Sequence, residues 1–312
     1  MITMNIYVGV TDFNWYQKLI SIPNIDEVNF WQPGGNRQFN VLKKGELFLF
    51  KLHSPRNFIV GGGIFAYNNI LPLSLAWDSF AEKNGVDSLD EMRRRIEYYR
   101  KQDHSQTLDY SIGCILLEQP FFFAEDEWIP VPVDWKSNIV QGKTYRMETE
   151  LGKKLWDDVR IRLQGQQYFI DQQAQNETGQ RYGQPTIITP RLGQGSFRVI
   201  ITDVYNRRCA VTNERTLPVL EAAHIKPYNL SGPHDIGNGI LLRSDLHKLL
   251  DKGYITFTPE YHLEVSRRIR EEFENGRDYY ALHGNKLRLP QNTDSWPKPE
   301  YLNWHNENVF FK

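Results

Sequence analysis

Cysteine is scarce in this sequence: Cys114 and Cys209 are the only two in 312 residues. Two are too few for a disulfide framework, and no Cys-x-x-Cys pair signals structural zinc, so Cys209 is expected to pack in a core. Long apolar runs are missing too. No stretch approaches the roughly 20 apolar residues that span a bilayer, and MITMNIYVGV has no basic region before an apolar one. The expectation is a protein without membrane contact, cytoplasmic by default. Nor is there an excess of one charge: 37 basic against 38 acidic residues leave a net charge of −1. Up to residue 190 there are 20 basic and 23 acidic residues, and beyond it 17 and 15. Neither half suits a protein that coats nucleic acid indiscriminately, but an enzyme with a local basic groove is still allowed.

What the chain does contain is enough apolar and aromatic residue, 40% and 13%, to build two domains with real cores. Residues 3–10 read as a buried strand, and Thr11 or Asp12 can cap the short helix that follows. The stretch 29–40 (NFWQPGGNRQFN) reads as a Gly/Pro loop carrying an exposed Trp31 and Arg37. ELFLFKLH and NFIVGGGIFAY read as neighbouring strands, with Gly61 to Gly63 marking a bulge or a close backbone approach. Helices are expected over 71–85 and 88–102, and DYSIGCILLEQPFFF reads as a strand pair. This gives a compact α+β unit over 1–150, then a helix and a glutamine-rich polar linker over 151–190, then a second domain over 191–312 with an aromatic tail.

The second domain holds the most informative stretch, 221–253: EAAHIKPYNLSGPHDIGNGILLRSDLHKLLDKG. LPVLEAAHI reads as a strand ending at His224, the Pro/Gly/Asn-rich run as a loop, and GILL as a short strand. Ser244 and Asp245 then start a helix that Gly253 ends. His224, Asn238 and His247 are separated by 14 and 9 positions, with one histidine at a strand end and the other on the helix. Phosphodiester hydrolysis needs a water deprotonated near neutral pH and a cation on the developing charge. Histidine titrates near 6.5, which suits His224 as general base, and His247 offers a neutral imidazole to a metal.

This order and spacing resembles the HNH nuclease family, whose site is a β-β-α unit holding one divalent metal. RCAVTN, AAHIKP, NGILL and LHKLLDKG carry the resemblance, which covers about the last third of the chain. It implies that Asn238 braces the loop or orients the base, and that the cofactor is Mg or Mn, with Zn, Ni or Co also allowed. One departure is Ala223, where many members place a metal-binding Asp or His. Asp251, one helical turn after His247, is the first substitute; Asp245, Asp235 and His224 itself are others. Asp251 could equally be a cap or pair with Lys248 or Lys252.

The amino-terminal half resembles the PUA-like superfamily, which includes EVE, ASCH and SRA domains. TDFNWY, FWQPGGNRQF, GELFLFKL and IVGGGIF carry this second resemblance. It implies a curved β-sheet or barrel with helices and a pocket for a base swung out of the duplex. Trp15, Trp31 and Trp77 would form its walls, and Asp12, Asn36 or Gln38 would read the base edge. Ordinary core packing is the competing reading of these aromatics.

Together these readings give a two-domain α+β protein that recognises modified double-stranded DNA, most simply methylated or hydroxymethylated cytosine, and cuts it; phage defence by restriction is the setting the resemblance implies. The alternatives are an HNH endonuclease reading unmodified sequence or another mark such as phosphorothioate, or a non-catalytic module for modified nucleic acid. Cutting both strands with one-metal sites would call for two subunits, which allows a homodimer.

Overall fold

The computed structural model describes residues 4–35, 38–100, 109–174 and 193–312. The chain divides into two compact units, Met1–Pro190 and Arg191–Lys312. Among the described residues no helix is long and apolar enough to cross a membrane.

In the first unit, β1 (Asn5–Thr11) runs into α1 (Phe13–Ile20). Asp12 caps that helix by accepting a hydrogen bond from the Trp15 amide at 2.7 Å. Then come β2 (Glu27–Gln32), β3 (Leu47–Leu52), β4 (Phe58–Pro72), α2 (Leu73–Phe80), α3 (Leu89–Arg100) and β5 (Ser111–Phe122). Short β6 (Ile129–Pro130), β7 (Gly142–Arg146) and α4 (Glu150–Ala174) complete it. The sheet order is β2-β5-β4-β3-β1-β7, with β6 on β4. Among the described strands of this sheet only β1 and β3 pair in parallel. Trp15, Phe30 and Phe50 pack edge to face in its core, while Leu155 and Val159 of α4 are buried against Ile6, Val8 and Leu49.

Three expectations change here. The presumed loop at 29–40 begins as a strand: β2 includes Trp31 and ends at Gln32. DYSIGCILLEQPFFF forms one long strand, not a pair. The polar stretch after residue 163 continues α4 as far as Ala174, and its remainder lies outside the described residues. The glycine run behaves as expected, because the β4–β5 register shifts between Gly62 and Ile64 and a Cβ on Gly61 would run into the Phe121 carbonyl oxygen.

The second unit contains α5 (Gln194–Val204), β8 (Leu220–His224), β9 (Gly239–Arg243) and α6 (Ser244–Asp251). A hairpin of β10 (Ile255–Phe257) and β11 (Leu263–Val265), then α7 (Arg268–Phe273), α8 (Arg277–Tyr280) and α9 (Pro299–Asn308) follow. Its core joins Phe197 and Ile201 to Cys209, Ala223, Ile240, Leu242, Leu246 and Leu250. The tail is part of this unit. Leu302 is buried, and buried His305 bridges the Thr256 hydroxyl at 2.8 Å and the Leu250 carbonyl at 3.0 Å.

Candidate functional site

β8 and β9 pair antiparallel with His224 opposite Gly239 and Glu221 opposite Leu242. The helix α6 starts at the residue after β9, so strand pair and helix form one β-β-α unit. The loop between the strands is closed by Asn238, which is fully buried. Its Oδ1 accepts from the Lys226 amide at 2.9 Å, and its Nδ2 donates to the carbonyls of Lys226 at 3.0 Å and Pro233 at 2.9 Å. Gly232 sits in the same loop because a Cβ there would collide with the Lys226 carbonyl oxygen.

His224 stacks on Phe197 of α5, with ring centroids 4.0 Å apart and planes 11° from parallel. Its Nε2 lies 2.8 Å from Nδ1 of His234. His234 in turn stacks on Tyr228 at 4.4 Å. Burial pushes the His224 pKa down to about 4, and the charges of His234 and His247 act in the same direction. The imidazole is therefore neutral at physiological pH.

His247, on α6, is held from both sides. Its Nδ1 is 2.6 Å from Oε2 of Glu221 on β8, and its Nε2 is 3.4 Å from Oδ2 of Asp251. Burial raises the Asp251 pKa, His247 opposes that shift and Glu221 adds to it. The other carboxylates considered from the sequence have their own partners: Asp245 pairs with Arg243 at 2.6 Å, and Asp235 pairs with Lys298 and caps the Gly237 amide. Ala223 is fully buried in the core.

In the first unit two of the three expected pocket walls are buried. Trp15 is 2% exposed and Trp31 is 8% exposed. The Trp31 indole donates to the Asn84 carbonyl at 2.9 Å, so Trp31 is not the exposed loop residue that the turn signals suggested. Trp77 is half-buried on α2, Gln38 is exposed, and Asn36 lies outside the described residues. Asp12 does border open space. Together with Phe13 and Asn14 it faces Arg94, Arg95, Tyr98 and Tyr99 of α3 across a cleft of about 390 Å³.

Residues 209–258 match the family described as HNH endonuclease. This chain carries an HNH endonuclease domain. The match spans the whole β-β-α unit, with His224, Asn238 and His247 inside it. An enzyme with this domain is a metal-dependent nuclease, a hydrolase acting on nucleic acid. No curated protein matches the chain. Among solved structures it is similar to ASCH from Zymomonas mobilis, at TM-score 0.34 and 9% identity, over 49% of this chain and 94% of that one. A tyrosine-to-phenylalanine mutant of that protein gives TM-score 0.32 and 10% identity, over 48% and 96%.

His247 Nε2 and Asp251 are two donors that could share a divalent cation. A ring nitrogen whose partner nitrogen is braced by a carboxylate is a common metal ligand, and the 3.4 Å approach of two lone-pair donors fits a shared cation. Among the described residues no group of three or more His, Cys, Asp or Glu is arranged to hold an ion. Two protein donors leave the remaining coordination positions of a divalent ion to water and substrate oxygens.

Two residues of the HNH domain escaped the sequence reading. Glu221 shares the strand parity of Ala223, two positions on, and supplies a carboxylate that Ala223 lacks. His234 was hidden in a loop rich in turn residues, although it is the nearest histidine to His224 along the chain.

Proposed function

We propose that this chain is a DNA endonuclease in which His224 is the general base, Asn238 holds the loop that carries it, and His247 with Asp251 binds one divalent cation. The observation that carries this reading is the neutral, ring-stacked His224 beside a carboxylate-braced His247. His224 Nε2 and His234 Nδ1 share one hydrogen across 2.8 Å, and in the tautomer where His224 carries it, the Nδ1 lone pair of His224 is left to take a proton from water. Glu221 accepts the His247 Nδ1 hydrogen and turns the Nε2 lone pair towards Asp251. A bound divalent ion supplies the positive charge that the phosphoryl oxygens need during hydrolysis.

The amino-terminal unit, in this reading, is a PUA-like module that selects DNA carrying a modified base, methylated or hydroxymethylated cytosine. The α1–α3 cleft supports it: Tyr98 and Tyr99 offer flat faces, Asp12 a hydrogen-bond acceptor, and Arg94 charge for phosphate, while Arg95 is paired with Glu91 at 2.6 Å. Stacking contributes about 1–3 kcal/mol per base. Tyr98→Ala and Tyr99→Ala are therefore expected to weaken binding to modified duplex by roughly 5- to 150-fold. Digestion of matched unmodified, methylated and hydroxymethylated duplexes tests the selectivity, and equal cutting of all three removes the reader from the account.

A further inference from the structure

The second unit has an arginine-lined cleft, distinct from the histidine site, that the catalytic reading leaves unused. Its volume is about 500 Å³, and Arg208, Arg215 and Arg288 line it with Tyr205, Asn206 and Gln291. None of the three guanidiniums forms an ion pair with a described carboxylate. The carboxylate next in sequence, Glu214, is engaged locally, accepting from the amides of Arg215 at 2.8 Å and Thr216 at 2.7 Å and from the Thr216 hydroxyl at 2.6 Å. Arg215 and Arg288 are exposed, and Arg208 is half-buried, with one hydrogen bond to Asn213 Oδ1 at 3.2 Å. Tyr205 is 5% exposed, and its buried hydroxyl has no hydrogen-bond partner.

Three unpaired guanidiniums would repel one another without an anion, and their planar forks match phosphate oxygens. Their place in the fold also matters. Arg215 lies a few residues before β8, which starts at Leu220, while His224 ends that strand. Cys209, next to Arg208, accepts through its sulfur from the Arg243 amide at the end of β9. The cleft thus flanks the β8–β9 hairpin at the end away from His224, roughly 13 Å along a five-residue strand. That span covers about four phosphates along one strand of a duplex, at about 3.4 Å of axis per charge. The near-neutral chain, at −1 overall, has no global field to hold DNA, so local sites of this kind must do so.

We infer that this cleft docks backbone phosphates of the DNA duplex away from the scissile bond. The inference rests on the proposal that the HNH domain acts on DNA. It is sequence-independent docking: it sets where the duplex lies, not which base is read.

The test is DNA binding by the full chain, followed by fluorescence anisotropy in EDTA over about 50 to 200 mM salt. Compared with the native chain, Arg208→Gln/Arg215→Gln/Arg288→Gln should flatten the log–log salt slope by about 3 and weaken binding by about 10²-fold at 0.1 M salt. Since Arg208 also bonds Asn213, the pair Arg215→Gln/Arg288→Gln gives a gentler version, with a loss of slope of about 2. An unchanged slope in both variants overturns the inference, as does a native chain that does not bind duplex. Inorganic phosphate titrated into the native complex distinguishes a second source of the same chemistry. Displacement well beyond the ionic-strength effect of matched chloride would assign the cleft to a free phosphate ligand instead. Cleavage by the native chain is read in parallel. Binding with the expected slope but no cutting would leave the docking inference standing and remove the proposed endonuclease activity.

Discussion

Glu221 and His247 meet across two elements, with the carboxylate Oε2 of strand β8 2.6 Å from Nδ1 of the imidazole on helix α6. This contact fixes the ring so that its second nitrogen faces Asp251. Removing such a bracing carboxylate typically costs 10- to 100-fold in metal affinity or activity. Glu221→Gln should raise the Mg²⁺ or Mn²⁺ concentration needed for half-maximal cleavage by about that factor, with little effect at saturating metal. An unchanged metal titration would reduce Glu221 to a surface ion pair.

His234 should matter through His224. His234→Ala removes the partner of His224 Nε2 and is expected to lower cleavage by roughly 10-fold, with partial rescue in His234→Gln, whose amide can hydrogen-bond in either direction. The base must be unprotonated, and burial holds His224 near 4, so activity is retained as pH falls below 6.5 and lost closer to 4. A kcat/KM profile whose acid limb stayed at the ordinary histidine value in native and variant alike would contradict this arrangement.

Burial and its bond to Asn84 lead to the expectation that Trp31 acts in stability. Trp31→Ala opens a cavity and leaves the Asn84 carbonyl without its donor, at a cost of about 3–5 kcal/mol. Urea unfolding of the first unit reads this loss. A folded Trp31→Ala variant of native stability that had lost only modified-DNA binding would restore the original role.

The error over Trp31 shows where the sequence stops being legible. EVNFWQ is buried on nearly every position, so it shows no period-two alternation, and the PGGN that follows pulled the loop assignment back over it. The β-β-α unit was legible because His224, the Gly/Pro loop, GILL and the Gly253 stop each occupy a locally coded position. Gly253 indeed has φ +75°. Glu221 was not legible, because nothing in EAAH reveals that α6 will cross β8 and bring His247 to it. Similarly, Asp12 was identified as both cap and cleft residue, but its partners Tyr98 and Tyr99 lie on a helix far along the chain.

Glu118 makes the first unit sensitive to pH. It is fully buried, faces Glu27 across the β2–β5 register, and neither carboxyl oxygen has a hydrogen-bond partner. Burial pushes its pKa up to about 7, Lys44 opposing and Glu27 adding. The folded form keeps a proton that the unfolded chain releases above about 4.5, so this stabilisation is complete below that pH and lost as pH rises through about 7. The urea midpoint of the first unit should fall between about pH 5 and pH 8, and Glu118→Gln should flatten the dependence. An identical pH dependence in Glu118→Gln would mean that another group carries it.

Whether His224 activates the water that cuts DNA is read by a nicking assay on supercoiled plasmid bearing modified cytosine. The native chain should cut with Mg²⁺ or Mn²⁺ and stop in EDTA. His224→Ala should cut at least about 10²-fold more slowly with nearly the same DNA affinity. Metal-independent cutting, or full activity in His224→Ala, would contradict the account.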